Sequence, residues 1–134
     1  MRLLHERSGT DIGVILASCS RFFLRGLSGI LEDAGGISIV AQASSYKEVE
    51  EYLAKTKADF LFIDNRTLKL DIARILNLVF KITPLTEIIC LDGKSTDVDV
   101  FANIVYIPKE TSSSELIRII KRKRKGVTGF VSAR

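Results

Sequence analysis

The 134-residue sequence is poor in the side chains that carry most metal and redox chemistry. It holds one histidine, His5, and two cysteines, Cys19 and Cys90. The cysteines form no CxxC pair and show no metal-ligand spacing, which leaves the reduced thiols of a cytoplasmic protein as the expectation. Cys90 sits inside an apolar run and is expected in the core. For Cys19 a buried, inert thiol is the plainer expectation, and a redox-sensitive thiol at the mouth of a site the alternative. His5 lies in a polar N-terminal stretch with no partner nearby in sequence, so no catalytic or metal role is expected of it. There is no glycine-rich phosphate loop and no nucleophile–base pair, and an enzyme is not expected. Long apolar runs are missing too. Stretches such as Ile12–Ala17 fall far short of the roughly 20 residues that span a bilayer, and the first eight residues lack the apolar core of a secretory signal. No membrane association is expected.

What is present is a regular alternation. Five short runs rich in Ile, Val and Phe recur: Ile12–Ala17, Ile37–Ala43, Phe60–Ile63, Glu87–Leu91 and Asn103–Ile107. Most show no polar/apolar alternation, as expected of strands buried on both faces of a parallel sheet. Helical patterns separate them. Ser20 can cap a helix through Ala34 with Phe23, Leu27, Ile30 and Leu31 inward. Ser45 and Glu48 have capping-box spacing before Val49, Leu53 and Ala54, and Ser112 and Glu115 repeat it before Leu116, Ile117, Ile119 and Ile120. Leu70–Phe80 is a third helical run, more apolar than one helix face needs. Between Leu91 and Asn103 there is room only for a short helix, over Thr96–Phe101. Alternating β and α units of this length predict right-handed crossovers and a doubly wound, flavodoxin-like α/β fold with five parallel strands in the order 2-1-3-4-5. Ligands of such folds sit at the carboxyl ends of the strands, here Ser18, Cys19, Asp64, Asp92 and Lys109.

The formal net charge of +4 is unevenly placed. The body up to Pro108 is nearly balanced, and the excess lies in the last helix, in Lys121, Arg122, Lys123, Arg124 and Lys125. That run can contact nucleic-acid phosphates or an acidic partner. The plainer reading is a solvated helix end whose cations favour the C-terminal dipole, since base-reading residues and interleaved aromatics are absent.

The strand ends also carry a resemblance. Ile15–Leu27, with Phe23, Gly26 and Leu27 on the first helix, resembles the start of receiver domains from bacterial response regulators, nearest to the LuxR/NarL-type subgroup. Asp59–Asp64 resembles the third strand and its phospho-accepting aspartate. Ile88–Leu91 resembles the fourth strand, and Tyr106-Ile107-Pro108-Lys109 the fifth strand with its switch aromatic and its lysine. The likeness spans Asp11 to about Lys125. It implies a receiver-like domain over residues 1–125, followed by a tail or linker start over 126–134, after which the family's DNA-binding domain would stand; nucleic acid would be reached only through that domain, which this chain lacks.

The resemblance further implies phosphoryl transfer from a histidine kinase or a small phosphodonor, assisted by Mg²⁺. Three positions depart from it. The family's metal-binding acidic pair is replaced by Ser18 and Cys19: a hydroxyl is a poor anionic substitute, and a thiol is too soft for a hard cation. The family's Thr or Ser at the end of the fourth strand is Asp92, whose charge would repel a phosphoryl group by on the order of 4 kcal/mol at about 4 Å and an effective dielectric near 20. An atypical, or pseudo-, receiver is therefore expected, with weak or absent Mg²⁺ binding, acting through a homodimer or a docked protein partner in transcription regulation; slow phosphorylation of Asp64 in a phosphorelay is the alternative. Lys109 is expected either to bridge Asp64 and Asp92 permanently or to form with them a site switched by something other than phosphate. Tyr106 either reports the switch state or is a packed aromatic.

Overall fold

The computed structural model describes residues 11–94 and 103–125, with side chains as far as Arg122. The proposed Thr96–Phe101 helix, His5, the 126–134 tail and the side chains of Lys123, Arg124 and Lys125 lie outside the described residues.

Nine elements follow in the order β1 (Ile12–Ala17), α1 (Arg21–Asp33), β2 (Ile37–Ala43), α2 (Tyr46–Lys55), β3 (Phe60–Asp64), α3 (Ile72–Ile82), β4 (Glu87–Leu91), β5 (Ile104–Ile107) and α4 (Ser113–Lys125). The strands form one sheet in the order β2-β1-β3-β4-β5, every pair parallel. Because side chains alternate across a strand, the runs feed two cores. Val14 and Leu16 of β1 and Phe60 and Phe62 of β3 pack with Leu24, Leu27 and Leu31 of α1 and with Leu116 and Ile120 of α4. Their neighbours Ile15, Ala17, Leu61 and Ile63 face Val49 and Leu53 of α2 and Ile75 and Leu78 of α3. The sheet is thus covered on both sides, which is why its strands read as continuous apolar runs.

Caps set the helix starts. The Ser20 hydroxyl accepts from Phe23 N at 3.1 Å, and that of Ser45 from Glu48 N at 3.1 Å. The second half of that capping box is displaced by one residue, as Glu48 accepts from Ser44 N at 2.7 Å. Ser112 accepts from Glu115 N at 3.1 Å, while the Glu115 carboxylate turns to Arg118 at 2.8 Å. The third helix begins two residues later than its apolar pattern, because Asp71 caps it by accepting from Arg74 N at 3.3 Å. Two inward assignments are corrected. Ile30 is 45% exposed, and Ala54 is exposed while Tyr52 takes the inward place beside Val49 and Leu53. The apolar surplus of α3 surfaces at its C-terminal end, where Phe80 and the following Leu85 are largely exposed. No helix among the described residues is long and apolar enough to cross a membrane.

Gly26 and Gly29 sit in the middle of α1, and a Cβ built on either meets nothing within 4 Å. Glycine costs a helix interior about 1 kcal/mol relative to alanine. Gly26→Ala and Gly29→Ala are each expected to raise stability by roughly that amount in urea unfolding; a loss in either would show that the helix backbone, and not the missing side chain, matters there.

Candidate functional site

The carboxyl ends of β1 and β3 meet at Asp64. As the last residue of β3 it is fully buried, and a buried carboxylate must be hydrogen-bonded or paired. It is both. Oδ1 accepts from Arg66 Nε at 2.8 Å and from Arg66 N at 3.2 Å. Oδ2 accepts from Ser18 Oγ at 2.8 Å, from Arg66 Nη2 at 3.2 Å and from Thr67 Oγ1 at 3.2 Å. The guanidinium therefore grips both carboxylate oxygens, the fork geometry that suits arginine. Burial by itself would push the Asp64 pKa up, but the hydrogen bonds from Arg66 and Ser18 and the arginine charge outweigh it and hold the carboxyl below its ordinary value. The same hydrogen bond keeps Arg66 more firmly protonated against the opposing effect of burial, with the charges of Asp64 and Asp92 adding to it.

The side chains that touch Asp64 are themselves held in place. Ser18, fully buried one residue beyond β1, accepts from Ser20 N at 3.0 Å. Thr67 Oγ1 accepts from Cys19 N at 2.9 Å, tying the β1 and β3 ends together. The Arg66 Cζ lies 4.6 Å from the Phe23 ring centroid, within cation–π range, and Phe23 in turn packs on Phe62 with centroids 6.2 Å apart. Arg66 is thus held between a carboxylate and an aromatic face.

Several sequence expectations change here. Lys109 is exposed and forms no ion pair among the described residues. It does not bridge Asp64 and Asp92, because Arg66 already occupies both oxygens of Asp64. The Asp92 side chain is exposed. Its backbone, at φ 63°, is held by Asp92 N donating to Ile107 O at 2.9 Å and by Asn65 Nδ2 donating to Asp92 O at 3.1 Å. Cys19 is exposed rather than buried, since the turn after β1 points Ser18 inward and the thiol outward, toward Ser44 O at 3.5 Å. Cys90 is buried in β4 as expected. Tyr106 is half-buried, and a Cβ on Gly93 would lie 3.2 Å from its ring and 2.5 Å from Cys90 Sγ. In the basic run, Lys121 Nζ donates to Ala34 O at 3.1 Å, closing the C-terminus of α1, and Arg122 is exposed.

Arg66 and Thr67 are the site residues that sequence reasoning missed. The available signal was local: a cation and a hydroxyl two and three residues past a strand-end aspartate, close enough in sequence for a turn to fold both back onto it. These residues do not fit Mg²⁺. Asp64 is the one buried carboxylate among the described residues, its oxygens face a guanidinium and hydroxyl donors, and no group of His, Cys, Asp and Glu that could hold a metal occurs among those residues.

No protein-family model matches the chain, and no curated protein sequence matches it. Solved structures do. The signal receiver domain of a response regulator NarL from Mycobacterium tuberculosis superposes with a TM-score of 0.72 at 16% identity, over 87% of this chain and 98% of that one. A response regulator receiver protein from Sinorhizobium medicae gives 0.71 at 20% identity, over 89% and 98%. A response regulator from Burkholderia pseudomallei, solved with a phosphorylated aspartic acid, a calcium ion and citrate, gives 0.64 at 19% identity, over 87% and 71%. The fold is that of receiver domains, with the flavodoxin-like strand order expected from the sequence.

Proposed function

We propose that this chain is a receiver-type signalling domain that works without phosphorylation: a regulatory interaction module, not an enzyme, acting in transcription regulation by dimerising or by docking a protein partner. The observation that supports this most is the Arg66 guanidinium on both oxygens of Asp64. A phosphoryl acceptor needs a free carboxylate oxygen and a cation placed to neutralise the incoming group. Here the cation is covalently part of the chain and is spent on the carboxylate itself. With Ser18 and Cys19 at the metal positions, nothing replaces it. The exposed Phe80 and Leu85 near the end of α3 supply apolar surface for a contact.

Incubation with acetyl phosphate and Mg²⁺, followed by intact mass measurement, tests this reading. No phosphoryl adduct is expected, and Mg²⁺ at millimolar concentration is expected to leave the melting temperature unchanged, whereas a site filled at 100 times its Kd would add about 2.7 kcal/mol. An adduct on Asp64, or a melting temperature that climbs with Mg²⁺, would favour a second reading, a slowly phosphorylated receiver. The position of Asp64 at the end of β3 and its ionised state favour that reading.

A further inference from the structure

A groove of about 560 Å³ opens beside the Asp64 cluster, between α1, the first turn of α4 and the carboxyl ends of β3, β4 and β5. Its volume falls among those of small-molecule pockets, roughly 300–1,000 Å³. Phe22, Phe23, Leu27 and Ile30 of α1 form one wall, and Leu116 faces them from α4. Phe22, at the rim, is 90% exposed, an unusual setting for a phenylalanine. Gly26 lies in the same wall with open space where a side chain would be, so the groove reaches the helix backbone.

Among the described residues the charged lining has one sign: Lys109 and Arg66 border the groove, and no carboxylate among those residues lines it. Lys109 has no anionic partner among the described residues, and Arg66 spends Nε and Nη2 on Asp64 but leaves Nη1 without a hydrogen bond among them. Ser112 and Ser113 bring the N-terminal end of the α4 dipole to the same place, an end that favours negative charge. An apolar trough with cations, hydroxyls and a helix N-terminus at one end, and no acid among its described lining residues, is complementary to an apolar body that carries one anionic group.

We propose that this groove is the binding site of a small amphipathic carboxylate, its apolar body along α1 and its head group against Lys109 and the start of α4. The site does not depend on whether Asp64 accepts a phosphoryl group. Occupancy nevertheless bears on Asp64, because the Arg66 that grips the carboxylate also lines the groove.

The test uses the intact chain with anilinonaphthalenesulfonate as a fluorescent probe and decanoate and decanol as competitors. Decanoate is expected to displace the dye, and decanol to do so at least about tenfold more weakly, since only the acid meets the cations. Gly26→Phe fills the groove from a position where a side chain has room, and is expected to weaken decanoate binding about tenfold or more. Lys109→Glu, on an exposed side chain, is expected to weaken decanoate about tenfold and to leave decanol unchanged. Lys47→Glu, an exposed charge reversal on α2 outside the groove lining, is expected to change neither. Circular dichroism confirms the fold of each variant, and Lys109→Glu carries the test should Gly26→Phe fail to fold. The proposal is overturned if decanoate does not displace the dye, if decanol competes as well as decanoate, or if Lys109→Glu binds decanoate no more weakly than Lys47→Glu.

Discussion

Replacing Arg66 with alanine is expected to destabilise the domain by roughly 2 kcal/mol at neutral pH, and the loss is expected to vanish in acid. Removing one partner of a fully buried pair costs about 3–5 kcal/mol. The Arg66 side chain is 35% exposed, so solvent screening lowers the figure. Asp64 would keep its bonds from Ser18, Thr67 and the backbone N–H of residue 66, but burial would then act without an opposing charge and raise its pKa. The pH dependence follows from the sign of the shift. In the unaltered chain the Asp64 pKa is lowered on folding, so its contribution is complete above the unfolded value, about 3.9, and is lost as pH falls through the folded value. The unaltered and Arg66→Ala proteins should therefore differ most near pH 7 and converge as pH falls through the lowered folded value of Asp64. Urea unfolding across that range is the measurement. Equal stability at pH 7 would mean that the guanidinium does not compensate the carboxylate.

Ser18→Asp is expected to cost more, about 2–4 kcal/mol at neutral pH, with the opposite dependence on the substituted group. The serine hydroxyl donates to Asp64 Oδ2 at 2.8 Å from a position with no solvent exposure. A carboxylate there removes a donor and sets two like charges about 4 Å apart, on the order of 4 kcal/mol at an effective dielectric near 20. Arg66 offsets part of this, and proton uptake by one member of the pair offsets more, because like charges drive one carboxyl pKa upward. A carboxyl whose folded pKa lies above its unfolded value loses stability as pH rises past the unfolded value. The deficit should therefore shrink as pH is lowered from 7 toward 4, about the unfolded carboxyl value. A deficit that stays constant over that interval would show that position 18 is not electrostatically joined to Asp64.

The fold was legible because burial on both faces leaves a plain mark in sequence. The bounds of β1, β2 and β4 coincide with their apolar runs, and β5 begins one residue inside its run. Helix faces were less legible where the surface intervenes. Ile30 fits the apolar period of α1 but lies on the groove, and Phe80 fits that of α3 but lies on the surface. Periodicity tells which side chains share a face, not whether another element covers that face. At the site, Asp64 and Ser18 were legible as strand ends. The pairing was not. Lys109 and Arg66 are both cations near the end of β3, and the choice between them rests on the turn after Asp64, where the Arg66 backbone N–H and side chain reach the same oxygen. Nothing in the order of residues weighs a contact two residues away against one 45 residues away; the local one closes a shorter loop and costs less entropy.

The left-handed backbone at Asp92 makes that position hard to substitute. Aspartate tolerates φ 63°, whereas a β-branched residue there is a steric outlier. Asp92→Thr would thus set a β-branched side chain on a main chain that resists it, with the segment pinned by Asn65 and by Ile107 O. Gly93 next to it has no room for a Cβ against Cys90 Sγ, so the strain could not easily be passed along the loop. A β-branched residue at position 92 would need the side chain and the loop path to change together, and the single substitution would be less stable than the unaltered chain. The turn acts as a ratchet, holding position 92 to the few residues that tolerate its backbone.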